Sequence, residues 1–246
     1  MLSILIPVYN FDVRKLVFDL LSQIDEIECP VELLLLDDGS HLKWQDQYAN
    51  WSDSTVVDKI GNYQVICGGH VYQENRPSDE YVLHWKYGQE VEVRSVDVRN
   101  KKPYTSFSTF NFYCKKSVFV KHLNDINISG YGHEDTLVGH ILLNNNVSIQ
   151  HIQNPLIHSG LKNADDFLAD TESAIGNAFL IQKKYPNVGI KLISNVKRIK
   201  SSGMATVIRS VLGINRKSRI KNLKSNNPSI HKLQLHKLFL ALAPGA

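Results

Sequence analysis

Ser3-Ile4-Leu5-Ile6-Pro7-Val8-Tyr9-Asn10, a helical stretch, and then Leu35-Leu36-Asp37-Asp38-Gly39-Ser40 set the fold of this chain. Ser3 to Ile6 is an apolar strand core with Pro7 at its end. Val13, Leu16, Val17, Leu20, Leu21 and Ile24 then recur at helical spacing, and Asp12 can cap the helix. Pro30 stops that segment. Val31 to Leu36 is a second strand, apolar apart from Glu32, and Asp37-Asp38-Gly39-Ser40 ends it. Two buried strands joined by one helix make a parallel, right-handed βαβ unit. Ligands of open α/β sheets sit beyond the carboxyl ends of the strands. Tyr9, Asn10, Asp37 and Asp38 therefore share one edge.

Further along, Tyr63 to Cys67, Thr109 to Cys114 and Val147 to Ile152 read as strands. Ser117 to Leu123, Glu134 to Leu143 and Asp165 to Lys184 read as helices. The last of these carries acids in its first turns and lysines in its last, as the helix dipole favours. Tyr72 to Asn100 is polar and aromatic with little helical periodicity, so loops and short strands are expected. Two amphipathic stretches follow, around Met204 to Leu212 and Ile230 to Leu242. The basic, polar run Asn215 to Ser229 between them reads as a linker. The expected architecture is α/β: a mostly parallel sheet flanked by helices, with a C-terminal helical extension.

Charge divides the chain. Of 28 Lys and Arg, 14 fall between Lys183 and Ala246, where none of the 24 Asp and Glu occurs, so residues 1–182 carry a net −10. The expected domains are accordingly 1–182 and a basic extension, 183–246. Such an extension suits an anionic partner, and a membrane surface fits better than nucleic acid because stacking aromatics are not interleaved with its cations. A solvated helical extension packed on the body fits the same composition. Three cysteines (Cys29, Cys67, Cys114) are too few and scattered for a disulfide framework, and a reducing cytosol is the simplest compartment. The apolar start, Leu2 to Val8, reads as a buried strand rather than an export leader. Phosphate-loop, dinucleotide-binding and nucleophile-elbow patterns are absent.

Two acidic features remain. Asp37-Asp38-Gly39-Ser40 can accept hydrogen bonds from a nucleobase or ribose, and its composition equally suits a capping turn. Gly130-Tyr131-Gly132-His133-Glu134-Asp135 combines close-approach glycines with carboxylates that open a helix; compensation of the helix dipole alone would also explain it. In order along the chain, the two resemble the family-two group of GT-A glycosyltransferases, over roughly residues 1–40 and 63–180.

The resemblance implies a sugar transferred with inversion from a nucleotide-sugar donor, UDP-linked by preference, to a glycan or lipid-linked hydroxyl. The setting would be cell-surface polysaccharide or glycoconjugate synthesis, in the cytoplasm or peripherally at the inner membrane face. Pro7, Val8 and Tyr9 would line the base, with Asp37 and Asp38 on uracil or ribose. Asp135 would be the general base, and Glu134 would help to hold the acceptor. Mg²⁺ or Mn²⁺ would bridge the donor diphosphate, with Asp53 and His158 as its ligands.

One departure stands out. Only 26 residues separate Ser40 from Cys67, whereas a single βαβ unit takes about 30. The Asp-x-Asp metal motif usual in the family is missing; Trp51-Ser52-Asp53 resembles its remnant. The domain is shortened between 41 and 62. The alternative is therefore a catalytically impaired remnant that binds a glycan or a membrane.

Overall fold

The computed structural model describes residues 2–8, 10–24, 31–37, 41–44, 63–124, 126 and 131–243. They belong to two compact units, Met1–Tyr63 and Gln64–Ala246. The first holds strand β1 (Leu2–Val8), helix α1 (Arg14–Ile24) and strand β2 (Val31–Asp37). The two strands pair in parallel, with Leu2 opposite Val31 and Val8 opposite Asp37. Ile6, Val13 and Val17 form the buried centre of this unit. Asp12 opens α1 by accepting the Arg14 N–H at 3.0 Å, which occupies one of the donors a helix start leaves free. Leu16, expected on the buried face, is exposed.

In the second unit, β3 (Val65–Cys67) lies between β5 (Phe112–Cys114) and β6 (Ile149–His151), antiparallel to the first and parallel to the second. A separate pair, β4 (His70–Val71) with β7 (Leu156–Ile157), is parallel. The chain is thus mixed α/β with mostly parallel pairing. Among the described residues its strands form three small sheets rather than one. Strand β5 is shorter than expected because the preceding residues turn outward: Thr109 bonds to a carboxylate and Asn111 Nδ2 donates to the Gly69 carbonyl at 2.9 Å.

The region Tyr72 to Asn100 corrects the expectation of loops and short strands. It holds a 3₁₀ turn (Asp79–Tyr81), α2 (Val82–Tyr87), a π-helical turn (Gly88–Glu92) and α3 (Val96–Lys101). Each is shorter than the two turns over which a 3.6-residue period becomes legible. Longer helices follow: α4 (Glu134–Asn144), α5 (Ala164–Lys184), α6 (Lys191–Ser201), α7 (Ala205–Ile214), α8 (Arg216–Leu223) and α9 (Ile230–Ala241). Helix α8 corrects the linker expected at Asn215 to Ser229. Its composition is polar, and burial of Leu223 against Leu83, Phe167 and Leu233 holds it in place.

The charge boundary at 182/183 falls inside this second unit. Val188, Ile190 and Ile193 pack with Leu137, Ala178 and Ile181, and Lys224 pairs with Asp165 of α5. Leu223 and Leu233 are 0% exposed. Leu223→Ala and Leu233→Ala should each lower unfolding free energy by about 2–5 kcal/mol in urea titrations. A change under about 0.5 kcal/mol would mean that the basic helices are not part of the cooperative core.

Candidate functional site

Helix α4 is entered through a sharp reversal. Gly132 (φ +93°) and His133 (φ +70°) are both left-handed, and a Cβ on Gly132 would come within 2.4 Å of the Ala174 methyl. Glycine is needed there on both counts. Gly132 N–H donates to Glu134 Oε1 at 2.6 Å, so Glu134 braces the turn. Asp135, one position on, has Oδ1 fixed by the Thr109 backbone N–H at 2.9 Å and the Thr109 hydroxyl at 2.7 Å. Among the described residues, no donor is paired with its Oδ2.

Beside Thr109, the Phe110 ring stacks on His158, with centroids 5.0 Å apart and planes at 18°. Tyr72 also stacks on that imidazole, at 5.1 Å and 19°. His158 leaves β7 by donating its own N–H to the Val71 carbonyl at 2.8 Å. Its Nδ1 is buried and, among the described residues, has no hydrogen-bond partner. Edge-on to this group stand His70, 6.4 Å from His158, and His84, 5.6 Å from it. The Tyr72 hydroxyl donates to Glu92 Oε2, which also lies 3.9 Å from His70 Nε2.

Tyr72 and His84 are buried, whereas Phe110 is exposed. Burial holds the His70 imidazole below its ordinary pKa, while Glu92 opposes that and His158 adds to it. Asp135 acts on His70 as well, so the carboxylate and the imidazoles share one field. His84 is pushed down to about 4, first by burial and then by His158 and Lys162. Its Nδ1 accepts the Lys162 N–H at 2.9 Å, which places the proton of the neutral ring on Nε2. At the rim, exposed Tyr131 carries the Lys162 ammonium 4.7 Å from its ring centre, and Lys162 is paired with Asp170.

Of the residues singled out from sequence, Asp135, Glu134 and His158 lie together in the second unit, joined through Thr109 and Phe110. Pro7 and Val8 lie at the end of β1, and Asp37 is opposite Val8 in the first unit. Tyr9, Asp38 and Asp53 lie outside the described residues. His70, Tyr72, His84, Glu92, Phe110 and Lys162 went unrecognised. The signal for those between 70 and 92 is a density of histidine and tyrosine without motif spacing; Phe110 and Lys162 carry none. The orphaned His158 Nδ1 is chemically suited to a divalent cation. Among the described residues, however, no three His, Cys, Asp or Glu side chains stand in metal-holding geometry.

No protein-family model matches the chain, and no curated protein shows significant similarity to it.

Charging His84 is disfavoured in the folded state and free in the unfolded chain. Stability present above the unfolded pKa should therefore be lost as pH falls from about 6.5 to about 4, with His70 adding to the same slope. Thermal melts across that window should show the decline, and His84→Gln should flatten it.

Proposed function

We propose that the chain is an inverting glycosyltransferase. It would move a sugar from a nucleotide-sugar donor, a UDP-sugar being the first to test, to a glycan or lipid-linked hydroxyl in cell-surface polysaccharide or glycoconjugate synthesis. The observation that carries this reading is the carboxylate of Asp135. One oxygen is clamped by Thr109; among the described residues no donor is paired with the other, and Phe110, next to Thr109 in the chain, stacks on His158. Aromatic faces and a few fixed polar groups suit the flat, C–H-rich side of a sugar ring. In the proposed step, Asp135 Oδ2 accepts the proton of the acceptor hydroxyl. The oxygen bonds to the anomeric carbon, and the bond from that carbon to the donor phosphate breaks. Its electron pair leaves on the nucleoside diphosphate.

The GT-A architecture belongs to this proposal too. Strands β1 and β2 support it by carrying Val8 and Asp37 to one parallel-strand edge. Mg²⁺ or Mn²⁺, for which the resemblance names Asp53 and His158, would supply Lewis-acid stabilisation of the departing diphosphate. The second reading, an impaired remnant, is favoured by the 26 residues between Ser40 and Cys67.

The reading includes work at the inner membrane face. Among the described residues, no helix is long and apolar enough to cross a membrane. Helix α7 presents Val207, Val211 and Ile214 at 55%, 58% and 80% exposure, on one stripe at the spacing of successive turns. Exposed Lys197, Arg198, Arg216 and Lys217 lie on the helices before and after it. An apolar stripe among cations suits an anionic bilayer surface.

Asp135→Asn should retain the melting temperature and lose about 10²–10⁴-fold in turnover of UDP-sugars by product assay. No turnover by either protein would favour the remnant. Val211→Ser combined with Ile214→Ser should weaken sedimentation with phosphatidylglycerol vesicles by about 2 kcal/mol, roughly thirtyfold. Unchanged sedimentation would remove the stripe from the membrane reading.

A further inference from the structure

Three arginines surround one phenylalanine in the C-terminal helices. The guanidinium carbons of Arg209, Arg216 and Arg219 lie 5.0, 5.6 and 5.7 Å from the centre of the Phe239 ring. They come from α7 and α8, and Phe239 comes from α9. Arg219 is 4% exposed, Arg209 is half-buried and Arg216 is exposed. Among the described residues, Arg219 Nε and Nη2, and Arg209 Nε, are buried without a hydrogen-bond partner. His236, one turn before Phe239 on α9, is buried with its Nδ1 likewise unpartnered.

Arginine inside a protein is normally held by a carboxylate, a phosphate or carbonyl oxygens. Arg99 of this chain shows the ordinary arrangement, with its guanidinium donating to the carbonyls of Cys67, Gly68 and Ile152. The Arg219 cluster has no such partner among the described residues. Burial and Arg216 both act to destabilise the Arg219 charge. His236 feels Arg219 and Arg216 more than it feels Glu172, the carboxylate that opposes them. The ring face of Phe239 attracts cations weakly and does not replace the hydrogen bonds that water supplied.

The free atoms have a definite shape. Nε and Nη2 of Arg219 form one edge of the guanidinium, and parallel N–H groups on that edge match two oxygens of a tetrahedral oxyanion. Arg209 offers a further N–H and Arg216 a further charge. We infer that Arg209, Arg216 and Arg219 over Phe239 form a binding site for a phosphate group, as a phosphate ester, a diphosphate or a phospholipid headgroup. The site is separate from Asp135 and does not depend on the transferase reading.

Pyrophosphate is the soluble probe, titrated calorimetrically and in thermal melts against sodium chloride at equal ionic strength. The wild type should bind it saturably and gain melting temperature beyond the chloride control. Arg219→Met should melt higher than the wild type without anion, because a buried unpaired charge is gone, and should bind pyrophosphate about tenfold or more weakly. Arg216→Gln, at an exposed position, tests the site should the Arg219 variant fail to fold; it too should weaken pyrophosphate.

Vesicles of phosphatidylcholine with and without phosphatidic acid separate the sources. Acid-dependent vesicle binding that falls in these variants identifies a lipid headgroup. Vesicle binding that ignores them, while pyrophosphate binding falls, identifies a soluble phosphate compound. Pyrophosphate with no effect beyond chloride, or equal binding by wild type and variants, overturns the proposal.

Discussion

Much of the second unit depends on one buried guanidinium. Arg99 donates to the carbonyls of Cys67, Gly68 and Ile152 and lies 3.1 Å from His151 Nδ1. Those groups belong to the carboxyl ends of β3 and β6, where two short parallel strands stop. Strands of three residues leave many backbone oxygens without ladder partners, and a buried unpaired carbonyl costs about 1–3 kcal/mol. A single five-donor group satisfies several at once. Asn100 adds a second clamp, accepting the His151 N–H at 2.9 Å and donating to the His151 carbonyl at 2.8 Å. Helix α3 therefore acts as a pin across the sheet edge.

The pin also explains the local glycines. Gly69 has φ +83°, and a Cβ there would come within 2.8 Å of the Arg99 guanidinium. A Cβ on Gly68 would meet the Asn154 carbonyl at 2.4 Å. The chain must turn tightly around Arg99 before it can start β4, and β4 carries His70 to the edge of the site. Asn111, donating to the Gly69 and Asn154 carbonyls, brings the strand preceded by Thr109 and Phe110 to the same edge. Thr109, which holds Asp135, and Phe110, which stacks on His158, are thus placed by structure organised by Arg99.

The parts legible in the sequence were those with long periods or strong punctuation. The alternation from Leu2 to Asp37 gave β1, α1 and β2, and Glu134 to Leu143 matched α4 nearly to its ends. Glu134-Asp135 marked the helix start by their charge, whereas the role of Gly132, a left-handed backbone packed on Ala174, is visible only in the folded chain. Hidden features depended on distant partners. The turns between Asp79 and Lys101 are held by contacts to residues far along the chain, such as His84 to Lys162, 78 positions away. No local propensity encodes such a contact. The histidine cluster escaped for the same reason: His70, His84 and His158 come from three elements and become neighbours only when β4 pairs with β7.

The charge split acquires a physical meaning in the folded chain. Fourteen cations without an acid repel one another. Here apolar burial overrides repulsion: Ile193, Val196, Leu223 and Leu233 are almost fully shielded from water, and burying such a side chain is worth about 1.5–3 kcal/mol. Most of the cations escape the cost by remaining at the surface, where water screens them. Arg219 does not. It is drawn inside because it sits one turn before Leu223 on the same short helix, so the packing that buries the leucine buries the guanidinium. A chain selected only for stability would place an apolar residue there. Retaining an arginine, with a second and third around the same ring, trades folding free energy for a concentrated positive field behind a low-dielectric wall. Such a field is strongest where an anion can be stripped of its water and held by fixed donors.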